Sequence, residues 1–437
     1  MKQSVLIAFD FDGVIADTVS MLKGVFSAFL SEYHISYSNE LFERFNGVTL
    51  AEMIASVKEQ YHIERSNEDL LSSYKKLIRT HTSTIQPIPG IKDTLKILKE
   101  RGYTIVVSSS ASRDYIEDFL SKHHLSIYFD EVFSGNSFSC TKPDKRYYLS
   151  ITEKFKGLKT FIVEDSDNGL VSAFNSGNYA IYFNKDNRKA HVPYHFSIKN
   201  ISQIIDVIES NTKKGFFIPY DDIDIVIKDT HPVFNDSEYE SIEKRWNERP
   251  KHVFNGNVIA FNKCYYRDKK MIAECYLTEY KYVYSIRGRI TPVAVSGICL
   301  DPDNNTIVSV RNKVTDYSGS YELIPSGGIQ EDYVENDSKG YKRQIITEFL
   351  EEAGPNMSEN NIIGVDTLGL CFDASSNTID ICMRIRYADK FIGLNLEAKN
   401  EEYSFKTTLI DSMENVRLLL KEKNAVLTSQ MILDNVQ

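Results

Sequence analysis

The stretch VLIAFDFDGVIADT, residues 5–18, decides how the rest of the chain is read. Its apolar start has no polar alternation, which marks a strand covered on both faces. Asp10, Asp12 and Asp17 follow at once. Carboxylates this close repel one another, so an acidic cluster at the end of a buried strand points to a cation or to a reaction that uses the acids. A solvated turn or a helix cap is the bland alternative, and Asp17 suits the cap.

Runs of the same kind recur at YTIVVSS (103–109), TFIVED (160–165) and YAIYF (179–183). Helical patterns separate them, among them IKDTLKILKERG (91–102), which closes on Gly102, and RDYIEDFLSKHH (113–124). The alternation predicts an α/β fold with a doubly wound parallel sheet. Between Val19 and Ile88 the pattern is helical throughout and ends in PIPG, so a helical insert follows the first strand.

Composition narrows the function classes. At 437 residues the chain is long enough for roughly two or three domains. It is 42% hydrophobic and 26% charged, with no apolar run of membrane-spanning length. The N-terminus lacks a signal-peptide core, which predicts a cytoplasmic protein with no membrane partner. Six scattered cysteines without a CxxC pair predict reduced thiols. A net charge of −10 argues against nonspecific nucleic-acid binding but leaves phosphorylated small molecules open, since a metal or a lysine can hold a phosphate locally.

Polar residues stand at the ends of the predicted strands: Asp10 and Asp12, Ser109 with its neighbours Ser108 and Ser110, Lys142 in CTKPDK, and Glu164 with Asp165. In an open α/β sheet that edge is where ligands bind. One carboxylate can attack phosphorus while a second handles the proton. A magnesium ion and a lysine can offset the charge of the phosphoryl group.

With DFDGVIADT, SSSASR, TKP and EDSDNG in this order, residues 1–210 resemble the haloacid dehalogenase (HAD) superfamily, in its phosphatases and phosphomutases with a small helical cap. The resemblance implies Asp10 as nucleophile, Asp12 as general acid and base, Ser109 and Ser110 as phosphoryl ligands, and Lys142 as the neutralising cation. It further implies Mg²⁺ held by Asp10, Asp12 through its carbonyl, Glu164 and Asp165. Gly47 and Arg44, in RFNGVTL, would contact substrate from the cap. The core would comprise 1–17 and 90–210, and the cap 18–89.

The second half has β-rich runs around polar turns, including YYRDKKMIAECYLTEYKYVYSI, AVSGICLDPDNNTIVSVRN and TIDICMRIRYA, and a last helix near 411–422. Its tyrosines, such as Tyr265, Tyr276 and Tyr282, read as core and sheet-face residues. A strong helix, YKRQIITEFLEEAG, follows an SGG turn. On it Glu348, Glu351 and Glu352 stand at i, i+3 and i+4, a spacing that predicts one shared acidic face and a divalent cation. The segment resembles the Nudix box, with Thr347 in place of its arginine and Lys339 in place of its first glutamate. That resemblance implies a mixed α+β Nudix-like domain over 216–437, with Mg²⁺ or Mn²⁺ on Glu348, Glu351 and Glu352, cleaving a nucleoside diphosphate derivative. Glu331, Glu335, Glu401 and Glu402 are further acidic candidates. The expectation is a bifunctional hydrolase. The alternatives are a phosphatase with a catalytically silent nucleotide-binding module, and a sugar phosphomutase.

Overall fold

Val5–Asp10 forms strand β1, buried along almost its whole length. In the computed structural model, which describes residues 5–45, 50–135, 139–211, 214–251, 253–311, 319–354, 356–392 and 408–436, the chain divides into two compact units. The first comprises Met1–Gly169, Ile181–Arg188 and Ile198–Ile205; the second comprises Leu170–Ala180, Lys189–Ser197 and Asp206–Gln437.

The parallel α/β core has the expected plan. Strands β2 (Thr104–Ser108), β3 (Glu131–Phe133), β4 (Lys159–Glu164), β5 (Tyr179–Phe183) and β6 (Phe196–Ile198) join β1 in one sheet of order β3-β2-β1-β4-β5-β6. β1 lies between β2 and β4, parallel to both. Central strands of this kind need apolar side chains on both faces, which VLIAF and TIVV supply. The order reverses beside β1, so its C-terminal end opens at a topological switch point.

Helices α1 (Thr18–Ser31), α2 (Asn39–Glu43), α3 (Leu50–Gln60) and α4 (Asn67–His81) form the helical cap. Phe26, Phe29, Ile54, Val57 and Tyr74 bury a small core of their own there. The core helices α5 (Ile91–Glu100), α6 (Arg113–Lys122), α7 (Arg146–Lys154) and α8 (Asp167–Asn175) alternate with the strands.

The second unit contains a mixed sheet, as an α+β domain requires. Thr291–Leu300 pairs in parallel with Thr378–Tyr387 and antiparallel with Ser326–Gly328, while Asn257–Arg267 and Lys270–Glu279 form an antiparallel hairpin. A separate three-stranded sheet holds Tyr321–Leu323, Asn305–Val310 and Thr408–Ser412. The turn DPDNN therefore does not close a hairpin, because the strands before and after it belong to different sheets.

Two elements depart from the sequence reading. Tyr280–Ser285 is helical although its tyrosines and valine favour a strand. Tyr282, Val283 and Ile286 pack against Phe234, Ile242 and Ile290, and this burial outweighs the local preference. Helix Asp236–Asn247 was not anticipated, although Asn235 and Glu238 form a reciprocal capping box at its start. All six cysteines are free thiols, and among the described residues no helix is long and apolar enough to cross a membrane.

In the second unit His195 is ringed by Phe174, Tyr179 and Phe216. The Ala180 N–H donates to its Nδ1 at 3.0 Å, which requires a bare lone pair there. Loss of water around the ring pushes its pKa from 6.5 down to about 3. A depressed histidine contributes stability above its unfolded pKa and loses it as pH falls towards the folded value. Measured against His195→Gln, which keeps an acceptor but does not titrate, the wild-type urea midpoint should therefore lose ground between pH 7 and pH 4.5, whatever the other groups do in both proteins. Equal changes in the two proteins would exclude this origin.

Candidate active site

Asp10 ends β1 in register with Ser108 of β2, and on the other side Phe9 pairs with Val163, one residue before Glu164. The sheet thus brings residues from distant parts of the chain to one edge. Asp10, Glu164 and Asp165 offer oxygens within 4.8 Å of one another, the one such group of three potential metal ligands among the described residues. Lys142 faces them. Its Nζ donates to Asp10 Oδ1 at 2.5 Å and lies 2.5 Å from Glu164 Oε1.

Charge and burial oppose each other here. Removal from water raises the pKa of Asp10 and outweighs the attraction of Lys142. Burial, then the charges of Asp10 and Glu164, push Asp165 to about 8. Burial and Asp10 also raise Glu164. For Lys142 burial acts downward, but Asp10 and Glu164 override it and hold the ammonium protonated. The cluster is short of positive charge. Hard carboxylate oxygens in this arrangement fit Mg²⁺, which Asp10, Glu164 and Asp165 would hold.

Asp12 lies outside that group and is exposed to solvent. Desolvation by surrounding atoms and the charge of Asp10 raise it to about 6, a shift that its exposure tempers, and a hydrogen bond from Thr18 opposes it. Ser109 is buried, with its N–H on the Phe133 carbonyl and its Oγ accepting from the Ala111 N–H, both at 3.0 Å. Ser110 is exposed beside it. Asp17 caps α1 by accepting from the Ser20 N–H and binds Lys185 Nζ at 2.5 Å. Arg44 is exposed at the end of α2, and Gly47 lies outside the described residues.

Residues 7–182 match the family model described as haloacid dehalogenase-like hydrolase. This part of the chain has the HAD-like hydrolase fold with a helical cap. A phosphorylated carbohydrates phosphatase of Thermotoga maritima is 26% identical over 183 residues, which cover 40% of this chain and 83% of that protein. A phosphoglycolate phosphatase of Agrobacterium fabrum is 26% identical over 180 residues, covering 40% of this chain and 77% of the relative. Among solved structures, a HAD family hydrolase of Deinococcus radiodurans is similar at 15% identity and a TM-score of 0.42, over 47% of this chain and 95% of that one.

Several residues around the HAD-like cluster escaped the sequence reading. Tyr148, fully buried on α7, donates its hydroxyl to Glu164, and the rings of Tyr147 and Tyr148 flank the Lys142 ammonium at 5.1 and 5.4 Å. Their only signal was an aromatic pair shortly after TKP. Arg188, beyond β5, approaches Asp165 and carried no signal at all. Gly13 at φ +79° lets Asp165 approach so closely that a Cβ would lie 2.0 Å from its Oδ2.

The second acidic helix, Tyr341–Glu352, is assembled differently from its expected pattern. Glu348 packs against Gly327, where a Cβ would lie 2.3 Å from its carboxyl carbon. Glu352 is buried and accepts from the Ser326 N–H at 3.2 Å, while Glu351 is exposed. At 100° per residue, Glu351 and Glu352 cannot both follow Glu348 inward once Glu352 is packed against the sheet. The three glutamates do not bring their oxygens together as the first cluster does. Thr347 bonds Tyr333 and Lys339 bonds Asp222, so neither serves this face. Glu331 accepts from Asn257, Glu335 is exposed, and Glu401 and Glu402 lie outside the described residues.

Because their folded pKa values are raised, Asp10, Glu164 and Asp165 bind more protons folded than unfolded, so metal-free stability falls as pH rises from about 4 towards 8. A cation that binds the ionised cluster offsets this loss. Added Mg²⁺ should therefore raise the thermal midpoint more at pH 8 than at pH 6, and Asp165→Asn should diminish the gain. A Mg²⁺ shift that shrinks with pH would contradict the assignment.

Proposed function

We propose that the HAD-like part, within residues 1–210, is a Mg²⁺-dependent phosphomonoester phosphatase acting through an aspartyl phosphate. The observation that carries this reading is the convergence of Asp10, Glu164 and Asp165 around Lys142. An Asp10 oxygen attacks phosphorus as the bond to the leaving oxygen breaks, and Asp12 gives that oxygen its proton. Asp12 then takes a proton from the water that attacks phosphorus and frees Asp10. Its exposed position beside Asp10 and its pKa near 6 suit both transfers. Lys142 favours the ionised form of the attacking carboxylate against the opposing effect of burial and offsets phosphoryl charge, while Ser109, aided by Ser110, orients the phosphoryl oxygens. Bound Mg²⁺ supplies electrostatic tolerance for an anionic phosphate beside an anionic nucleophile.

The names of the relatives support a small phosphorylated molecule as substrate. Arg44 and Gly47 are proposed as the cap's contribution to its selection. With a panel of phosphomonoesters and Mg²⁺, wild type should release phosphate and Asp10→Asn should lose essentially all turnover. Isomer formation without net phosphate release would favour the phosphomutase reading instead.

For the second half, over 216–437, we propose a Nudix-like domain that does not cleave diphosphates by itself. Its SGG strand and the glutamate helix packed on it support the resemblance. The exposure of Glu351 while Glu352 is buried on the Ser326 N–H favours the silent-module alternative. Glu352→Gln should leave phosphomonoester turnover unchanged, and wild type should leave nucleoside diphosphate derivatives intact. Diphosphate cleavage that disappears in Glu352→Gln would establish a second active site.

A further inference from the structure

The loop after β5 carries a residue that the proposed chemistry above does not use. Arg188 Nη2 donates to the Asp165 backbone carbonyl at 3.4 Å and stands 3.9 Å from Asp165 Oδ2. The loop fixes the Arg188 backbone. The Asn184 side chain accepts from the Arg188 N–H at 2.6 Å and donates to the Arg188 carbonyl at 2.9 Å, and the Tyr182 hydroxyl reaches the same carbonyl at 3.4 Å. Asp165 is thereby confined from two sides, by the Gly13 backbone and by the guanidinium.

This confinement has a physical purpose. Asp10 and Glu164 repel the Asp165 carboxylate, and Lys142 makes its close contacts with those two residues, so its pull on Asp165 is weaker than that of Arg188. Without a cation on its far side, Asp165 would swing away from its like-charged neighbours. A planar guanidinium can hold a main-chain carbonyl and a carboxylate at once, which an ammonium on a shorter stem does less well. The same loop places Lys185 on Asp17, the cap-entry residue, so the segment is fixed at both ends of its run.

We infer that Arg188 is a positioning residue that keeps Asp165 directed into the Asp10–Glu164 cluster and so sets the affinity of the site for a divalent cation. The inference rests on the phosphatase reading of that cluster. The Arg188 guanidinium bonds Asp165, so its effect on the cluster passes through that residue.

The test titrates MgCl₂ against the full-length protein and follows both the thermal midpoint and phosphate release. Arg188→Ala should raise the Mg²⁺ concentration for half-maximal effect by about tenfold, the usual scale for loss of a group that orients a metal ligand. At saturating Mg²⁺ its KM for the phosphomonoester should match wild type, a separation that general damage to the fold would not produce. Arg188→Lys should shift the Mg²⁺ midpoint in the same direction by less, and the exposed neighbour variant Lys189→Ala should behave as wild type. An Arg188→Ala midpoint equal to or below wild type overturns the inference. If that variant does not fold, an unshifted Arg188→Lys does so. A wild-type protein that neither responds to Mg²⁺ nor releases phosphate would overturn the phosphatase reading itself, and the inference with it.

Discussion

Repulsion among three carboxylates at the adjacent ends of β1 and β4 is the constraint on which the first half of this protein depends. Asp10, Glu164 and Asp165 converge where burial already penalises charge. The fold tolerates them only because Lys142 is wedged between two of them and is itself held by the rings of Tyr147 and Tyr148. A bare ammonium buried among apolar groups would lose its proton, and carboxylates without it would take theirs. The carboxylates hold Lys142 protonated, and Lys142 offsets part of the cost of burying their charge. Packing of the strands at the switch point imposes the crowding, and the crowding makes the edge suited to a cation.

Division of labour among the acids follows from position. Asp10 lies in the strand, buried and paired, whereas Asp12 stands two residues later at the solvent side with an intermediate pKa. Asp17 takes no part, because it caps α1 and binds Lys185. The same chemical group thus stands as a buried paired acid, a solvent-facing acid of intermediate pKa or a helix cap according to what surrounds it. Glycine has a matching role at Gly13, where the backbone lies so near Asp165 that no side chain fits.

The two acidic constellations show different limits of reading a sequence. The first was legible because its residues stand at the ends of strands, and parallel pairing brings such ends together whatever lies between. The second depended on a helical spacing, and spacing leaves open which side of the helix meets the sheet. Ile345 and Phe349 bury one stripe and draw Glu352 in with them, which turns Glu351 to solvent. Similarly, Tyr280–Ser285 reads as strand by its residues and becomes helix by its packing.

By itself the sequence determined the alternating α/β core, the helical insert, and the identity of Asp10, Asp12, Ser109, Lys142, Glu164 and Asp165 as strand-end polar residues. These follow from local periodicity and from the geometry of parallel sheets, which the order of residues encodes directly. Only the tertiary structure decided that Tyr148 braces Glu164, that Arg188 confines Asp165, and that Glu352 is buried while Glu351 faces solvent. Those contacts join residues separated by tens of positions through side-chain packing and charge balance. No periodicity carries that information, because it arises only when the strands are in register and water has been excluded.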